Sequence, residues 1–171
     1  TWSEVNDGLT NFYIKAIEYD SSGNVLVGTL GGGVFKSTTG GLSWEEINTG
    51  LADLKVKALT VDENGNYFAG TMGRGVYKST DEGESWIQAI VGMRFFDINA
   101  LTALRDTILA GTNGEGVYRS TNNGERWHPS NGGLESMTIN SFMINRVDEI
   151  FISTSEGNVS FSVNGGSDRK S

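Results

Sequence analysis

Ser79-Thr80-Asp81-Glu82-Gly83-Glu84-Ser85-Trp86 decides the fold, because the same frame recurs along the chain. Ser37-Thr38-Thr39-Gly40-Gly41-Leu42-Ser43-Trp44 and Ser120-Thr121-Asn122-Asn123-Gly124-Glu125-Arg126-Trp127 repeat it. The only four tryptophans, Trp2, Trp44, Trp86 and Trp127, follow one another at spacings of 42, 42 and 41. A fixed period of this length means one supersecondary unit copied in tandem.

Aligned on Trp, every unit has one anatomy. A loop ends in Gly and a large apolar residue: Gly8-Leu9, Gly50-Leu51, Gly92-Met93 and Gly133-Leu134. Three strand-like runs follow, beginning in the first unit at Ile14, Val25 and Val34, and the phrase from Ser to Trp then turns into a fourth. Asn-Gly at the first hairpin predicts a tight turn whose central residues take positive φ. The runs carry apolar groups on both faces, as in a sheet covered on both sides. No window shows helical periodicity. The unit is therefore read as a four-stranded antiparallel meander.

Such a meander needs a neighbour on each face. Radial repetition supplies it, which predicts an all-β β-propeller with four repeats of about 42 residues. A β-helix is the rival, but its period lies nearer 20 residues. Expected blades run over about 9–49, 51–91, 93–133 and 134–169. The strand at 1–7 is expected to complete the last of them. Done within one chain, this gives a four-bladed ring; between two chains, a homodimer with an eight-bladed ring. Because Thr1-Trp2 opens in mid-repeat, the chain is also read as a processed or excised piece of something longer.

The phrase Ser-x-Asp-x-Gly-x-x-Trp resembles the Asp-box, or BNR repeat, of sialidases, xyloglucanase-type hydrolases, sortilin-like receptors and photosystem II assembly factors. Ser79, Asp81, Gly83 and Trp86 match fully. Ser120, Asn122, Gly124 and Trp127 carry Asn for Asp, and Ser37, Gly41 and Trp44 flank Thr39. Ser162, Asn164 and Gly166 keep the frame, with Arg169 where Trp belongs. The resemblance covers the whole chain. It implies a propeller whose Asp-boxes lie at the blade periphery, away from any active-site face. Physically, the short side-chain oxygen is expected to accept from backbone N–H groups two or three residues on. The Trp is expected to plug the gap between blades.

Composition narrows function further. The 171 residues contain 24 Gly and one Pro, which fits many tight turns. A net charge of −8 lacks the basic stripe of a nucleic-acid binder. There is no Cys, hence no disulfide or thiol chemistry, and no apolar run long enough to span a membrane. No cofactor is expected. His128 is the only histidine, so neither a His-based triad nor a multi-His metal site can be built. Asp62-Glu63-Asn64-Gly65-Asn66 is read as a hairpin rather than a calcium loop. Gly28–Gly33 precedes a strand, not the helix N-terminus a phosphate cradle needs.

Binding is expected where the repeats diverge, on the rim shared by the second-to-third-strand loops and the blade connections. Phe12, Tyr13, Phe95 and Phe96 beside Arg74 and Arg94, with Glu115, form a candidate aromatic-plus-basic platform for a peptide or sugar. The competing reading is that two of the aromatics cap the core edge. Lys15, Lys57, Asn99 and Asn140 are expected to line a wet central channel. The expected function is a non-catalytic module in the periplasm or outside the cell that binds a protein or glycan. The alternative is a fragment of a glycoside hydrolase, its carboxylates drawn from Asp53, Asp97, Glu115 and Glu156.

Overall fold

The structure is a computed structural model that describes residues 1–163 and Gly165. It is an all-β arc of four consecutive antiparallel meanders. Blade 1 comprises β1 (Ile14–Tyr19), β2 (Val25–Thr29), β3 (Gly33–Ser37) and β4 (Glu45–Glu46). Blade 2 comprises β5 (Val56–Val61), β6 (Tyr67–Thr71), β7 (Val76–Ser79) and β8 (Ile87–Gln88). Blade 3 comprises β9 (Ile98–Leu104), β10 (Thr107–Thr112), β11 (Val117–Ser120) and β12 (His128–Pro129). Blade 4 is described over three strands: β13 (Ile139–Ile144), β14 (Ile150–Thr154) and β15 (Val159–Ser162). No helix among the described residues is long and apolar enough to cross a membrane.

The core lies in the seams between blades. Leu26 and Val34 of blade 1 pack with Val56, Leu59, Tyr67 and Tyr77 of blade 2. Phe68 and Val76 meet Ile98, Leu101 and Tyr118 in the next seam, and Leu109 and Val117 meet Ile139 and Ile152 in the third. Glycine sets how close the blades approach. A Cβ added to Gly28, Gly70 or Gly111 would stand 2.7, 2.6 or 2.5 Å from a methyl of Val56, Ile98 or Ile139.

Two of the four indoles, those of Trp86 and Trp127, are wedged in seams as expected. Trp86 and Trp127 are buried, and Trp44 is half-buried. The indole N–H donates to a carbonyl of the preceding repeat: Trp44 to Val5, Trp86 to Ile47 and Trp127 to Ala89, at 2.7–2.9 Å. The backbone N–H of the same residue donates to Asp7, Thr49 or Val91, each at 2.8 Å.

Two local expectations are corrected. In the phrase from Ser to Trp, the short oxygen reaches four residues rather than two or three. Asp81 Oδ1 accepts from Ser85 N, Asn122 Oδ1 from Arg126 N and Thr39 Oγ1 from Ser43 N, at 2.9–3.0 Å. The Ser hydroxyl spans the same distance, so that Ser37, Ser79 and Ser120 Oγ accept from Gly41, Gly83 and Gly124 N. Ser162 closes β15, whereas Asn164, Gly166 and Arg169 lie outside the described residues.

The first hairpins of blades 1 and 2 are not two-residue turns either, whereas in blade 3 Leu104 pairs with Thr107 across Arg105-Asp106. Asp20 Oδ1 accepts from Ser22 N and Asn24 N, Asp62 Oδ1 accepts from Asn64 N and Asn66 N, and only Gly23 and Gly65 take positive φ. The carboxylate closes a wider loop, with Oδ1 taken by backbone amides and Oδ2 by the side-chain amide of Asn24 or Asn66.

Finally, residues 1–7 form no strand in the single chain, and Trp2 is fully exposed. Among the described residues no strand of blade 1 pairs with a strand of blade 4. Ile17 and Tyr19 on blade 1 and Met143 and Phe161 on blade 4 lie open, at 72, 72, 55 and 65% exposure. Leu59 and Leu101, which repeat Ile17, are exposed by only 7 and 9% inside their seams.

Candidate binding rim

The second-to-third-strand loops and the blade connections share one rim and are laced together by backbone hydrogen bonds. Within a blade, Leu30 N donates to Tyr13 O, Met72 N to Lys55 O, Asn113 N to Asp97 O and Ser155 N to Thr138 O, at 2.9–3.1 Å. Between blades, Gly31 N and Gly33 N donate to Leu54 O, Gly75 N to Phe96 O, and Gly114 N and Gly116 N to Met137 O. A buried threonine closes each loop. Thr29, Thr71 and Thr112 Oγ1 donate to Gly33, Gly75 and Gly116 O, and accept from Gly32, Arg74 and Glu115 N. These threonines were missed in the sequence, although Gly28-Thr29, Gly70-Thr71 and Gly111-Thr112 keep the same period as Trp.

The seven candidate residues fall into two groups. Arg74, Arg94, Phe95, Phe96 and Glu115 belong to adjoining loops of blades 2 and 3. Arg74, Arg94 and Glu115 are exposed, and Arg94 N donates to the Tyr118 hydroxyl at 3.3 Å. Phe95 and Phe96 are half-buried against the core cluster of that seam, so these two rings cap the core edge. Phe12 and Tyr13 stand apart on blade 1, at 67 and 74% exposure. Phe12 repeats Leu54, Phe96 and Met137, the residues whose carbonyls receive the preceding blade's loop. Among the described residues no loop amide donates to the Phe12 carbonyl in this way. Tyr13 repeats Lys55 and Asp97 and points to no such seam.

Of the candidate rim carboxylates, Asp53 and Asp97 already serve the fold, whereas Glu115 and Glu156 are exposed. Asp53 accepts from Lys55 N at 3.0 Å and Gly73 N at 3.1 Å. Asp97 pairs with Lys57 Nζ at 2.7 Å and accepts from Asn113 Nδ2 at 2.9 Å. The inner-strand residues are not simply wet: Lys57 also donates to Asn99 Oδ1, and Asn99 Nδ2 donates to Ile139 O at 3.0 Å. Lys15 and Asn140 at the two ends are exposed. Burial raises the pKa of the Tyr77 hydroxyl, Arg74 opposes the rise, and Asp53 adds to it.

On the opposite, turn-bearing side, a cavity of about 410 Å³ is lined by Lys36, Trp44, Glu46 and Glu82, and one of about 290 Å³ by Asp62, Arg105 and Asn123. Among the described residues no three His, Asp or Glu side chains are grouped to hold a metal ion.

No family model matches the chain, and no curated protein matches it. Solved structures do match. YCF48 bound to D1 peptide superposes with a TM-score of 0.71 at 18% identity, over 94% of this chain and 55% of that one. An ancestral GH74 enzyme gives 0.74 at 23% identity, over 96% of this chain and 24% of that one. The extracellular domain of BT4673 from B. thetaiotaomicron gives 0.73 at 21% identity, over 94% and 23%. The chain thus spans about half of YCF48 and about a quarter of the other two. At these identities the likeness establishes the β-propeller fold.

Proposed function

We propose that the chain is a binding module, an Asp-box propeller that holds a peptide or glycan on its rim in the periplasm or outside the cell. The observation that carries this reading is a rim laced by backbone bonds that displays Tyr13, Arg74, Arg94 and Glu115 to solvent. Rigid loops hold such anchors at low entropic cost to binding. An exposed aromatic ring suits the face of a sugar, and exposed guanidinium groups on the neighbouring blades suit the backbone or acidic groups of a peptide. Completion of the ring by a second copy belongs to the same reading, because a rim site gains the full circle of loops.

The hydrolase reading takes its support from the GH74 likeness in fold. Against it, Asp53 and Asp97 are occupied by backbone amides and by Lys57, which suits carboxylates that build loops. A panel of peptides and oligosaccharides screened by calorimetry separates the two. Binding should weaken roughly tenfold in Tyr13→Ala and in Arg74→Ala, the loss of about 1–2 kcal/mol typical of an interface anchor. Unchanged binding in both variants would overturn the rim site. Reducing-sugar release abolished by Glu115→Gln would favour the hydrolase.

A further inference from the structure

On the turn-bearing side, the first two seams are built on one plan but filled differently. In the seam between blades 1 and 2, the Tyr67 hydroxyl donates to Oδ2 of Asp20 in the first hairpin, at 2.6 Å. Tyr67 is buried there, so a six-membered ring carrying one hydroxyl occupies the space beside that turn. One period on, Asp62 repeats Asp20 and Ile108 repeats Tyr67. Asp62 Oδ1 is again taken by two backbone amides, and Oδ2 by the amide of Asn66. The part of the Tyr67 hydroxyl passes to Asn123. Its amide, turned to satisfy both ends, donates to Asp62 Oδ2 at 2.8 Å and takes Lys78 Nζ on its oxygen at 3.0 Å. The ring itself has no such replacement, because Ile108 is shorter and ends in methyl groups. Asp62, Ile108 and Asn123 instead line the cavity of about 290 Å³.

The rest of the lining is polar and comes from three turns. Asn64 belongs to the hairpin of blade 2, Arg105 and Asp106 to that of blade 3, and Thr121 and Asn122 to the turn from Ser120 to Trp127. Two of these turns depart from the repeat. The blade 3 hairpin is one residue shorter, with Ala103 paired to Ile108 where Val61 pairs with Tyr67. That deletion is why Trp127 follows Trp86 at 41 residues rather than 42. Asn122 stands where blade 2 has Asp81. Its Oδ1 holds the turn through Ser120 Oγ and Arg126 N, and its Nδ2 adds a donor that a carboxylate lacks. Asn64, Asp106 and Thr121 are exposed, and their side chains make no hydrogen bond or ion pair among the described residues. Arg105 pairs with Asp148 through Nη2, which leaves its other N–H groups over.

We propose that this cavity binds a single pyranose ring, as a free hexose or as the end of a glycan, on the side of the arc opposite the rim. Its volume lies at the lower end of small-molecule sites, which suits one ring and not a chain. Asp62 has no lone pair left, so it shapes the wall, and the ligand's hydrogen bonds fall on the outer groups. Those groups mix carboxylate, amide, hydroxyl and guanidinium. A simple cation would meet Arg105 there, and a simple anion would meet Asp106. Sugar hydroxyls donate and accept at once, so neighbouring ring positions can serve Asp106 and Asn122 together. Ile108 offers methyl groups to the C–H face of the ring. In the first seam the same framework already houses a six-membered ring bearing a hydroxyl.

Backbone amide shifts of isotope-labelled protein, followed by NMR during titration with glucose, galactose, mannose and N-acetylglucosamine, locate any bound sugar. A hexose that fits should give saturable shifts at Asn64, Arg105, Asp106, Thr121 and Asn122, while Arg74 and Arg94 on the rim stay still. Methyl glycosides run in parallel distinguish a chain end, which tolerates the methyl group, from a free sugar, which does not. Asp106→Ala, in an exposed turn, should weaken binding about fivefold, the worth of one hydrogen bond. Ile108→Tyr puts the ring of the first seam into the second and should abolish binding, with its urea midpoint reporting that the fold survives. Unchanged affinity in both variants would overturn the proposal. So would shifts that rise without saturation for every sugar, or saturation by calcium chloride alone. Saturable shifts confined to Arg74 and Arg94 would overturn it as well, and would leave the rim reading intact.

Discussion

At the scale of single residues, the turn from Ser79 to Trp86 is held by charge as well as by shape. Hydrogen bonds from the Ser85 hydroxyl and amide, then from the Ser79 hydroxyl, hold the Asp81 carboxyl at a pKa of about 2, below its ordinary 3.8. A depressed carboxyl contributes stability that is present above the unfolded value and lost as pH falls through the folded one. Denaturant midpoints should therefore drop between about pH 4 and pH 2, and Asp81→Asn should show a shallower drop across that window. An unaltered profile would mean that the carboxylate's charge does nothing for the turn. The phrase announced its Asp and Gly legibly, since only a short acceptor and a left-handed glycine fit. The reach of four residues was not legible, because several turn geometries share those residue types. Asp20 shows the limit more sharply. Burial pushes its pKa up, but donors on Tyr67 and Asn24 outweigh burial and leave it lowered. The Tyr67 hydroxyl, 2.6 Å away in the next blade, is raised by burial and by that carboxylate. Nothing local to either residue signals a partner one period away.

Among the elements, the meaningful contrast is between seams. Strand order and the three complete meanders followed from the period of Trp, because each strand has the same neighbours in every copy. What the period could not disclose is how tightly the copies pack, which depends on atoms facing each other across a seam. Gly111 illustrates this: a methyl there would stand 2.5 Å from Ile139 Cγ2 and 3.1 Å from Phe142. Gly111→Ala should therefore destabilise by about 1–3 kcal/mol, the usual cost of overpacking, as urea unfolding would measure. Ser153→Gly, at the same position in the open blade, should change a monomeric protein by less than about 1 kcal/mol, the ordinary cost of glycine in a strand. Equal penalties at the two positions would show that the glycine serves strand geometry rather than blade spacing. The candidate rim divides in the same way. Arg74, Arg94 and Glu115 could be read as loop residues from sequence, and they are exposed. Phe12, Phe95 and Phe96 look equally conspicuous in sequence but belong to seams, a distinction carried only by their repeat equivalents.

On the scale of the whole molecule, the arc has two kinds of blade. In repeat architectures, stability is close to a sum of unit terms and neighbour terms, so a blade with one covered face opens more readily than a blade with two. Blades 2 and 3 are covered on both sides, and Phe68, Leu109 and Ala110 in their second strands are essentially inaccessible to solvent. Amides of β6 and β10 should therefore exchange with solvent deuterium most slowly at any protein concentration. Those of β1 and β15 lie on the open faces and should exchange fast in dilute protein. If a second chain closes the ring, mass action couples their protection to concentration, and β1 and β15 should slow together as the protein is concentrated. β6 and β10 would change far less, since their seams are complete within one chain. Residues 3–8 should follow β15 rather than the rest of blade 1, because they would gain a strand partner only from another copy. Exchange at β1 and β15 that ignores concentration would mean that the open faces stay open.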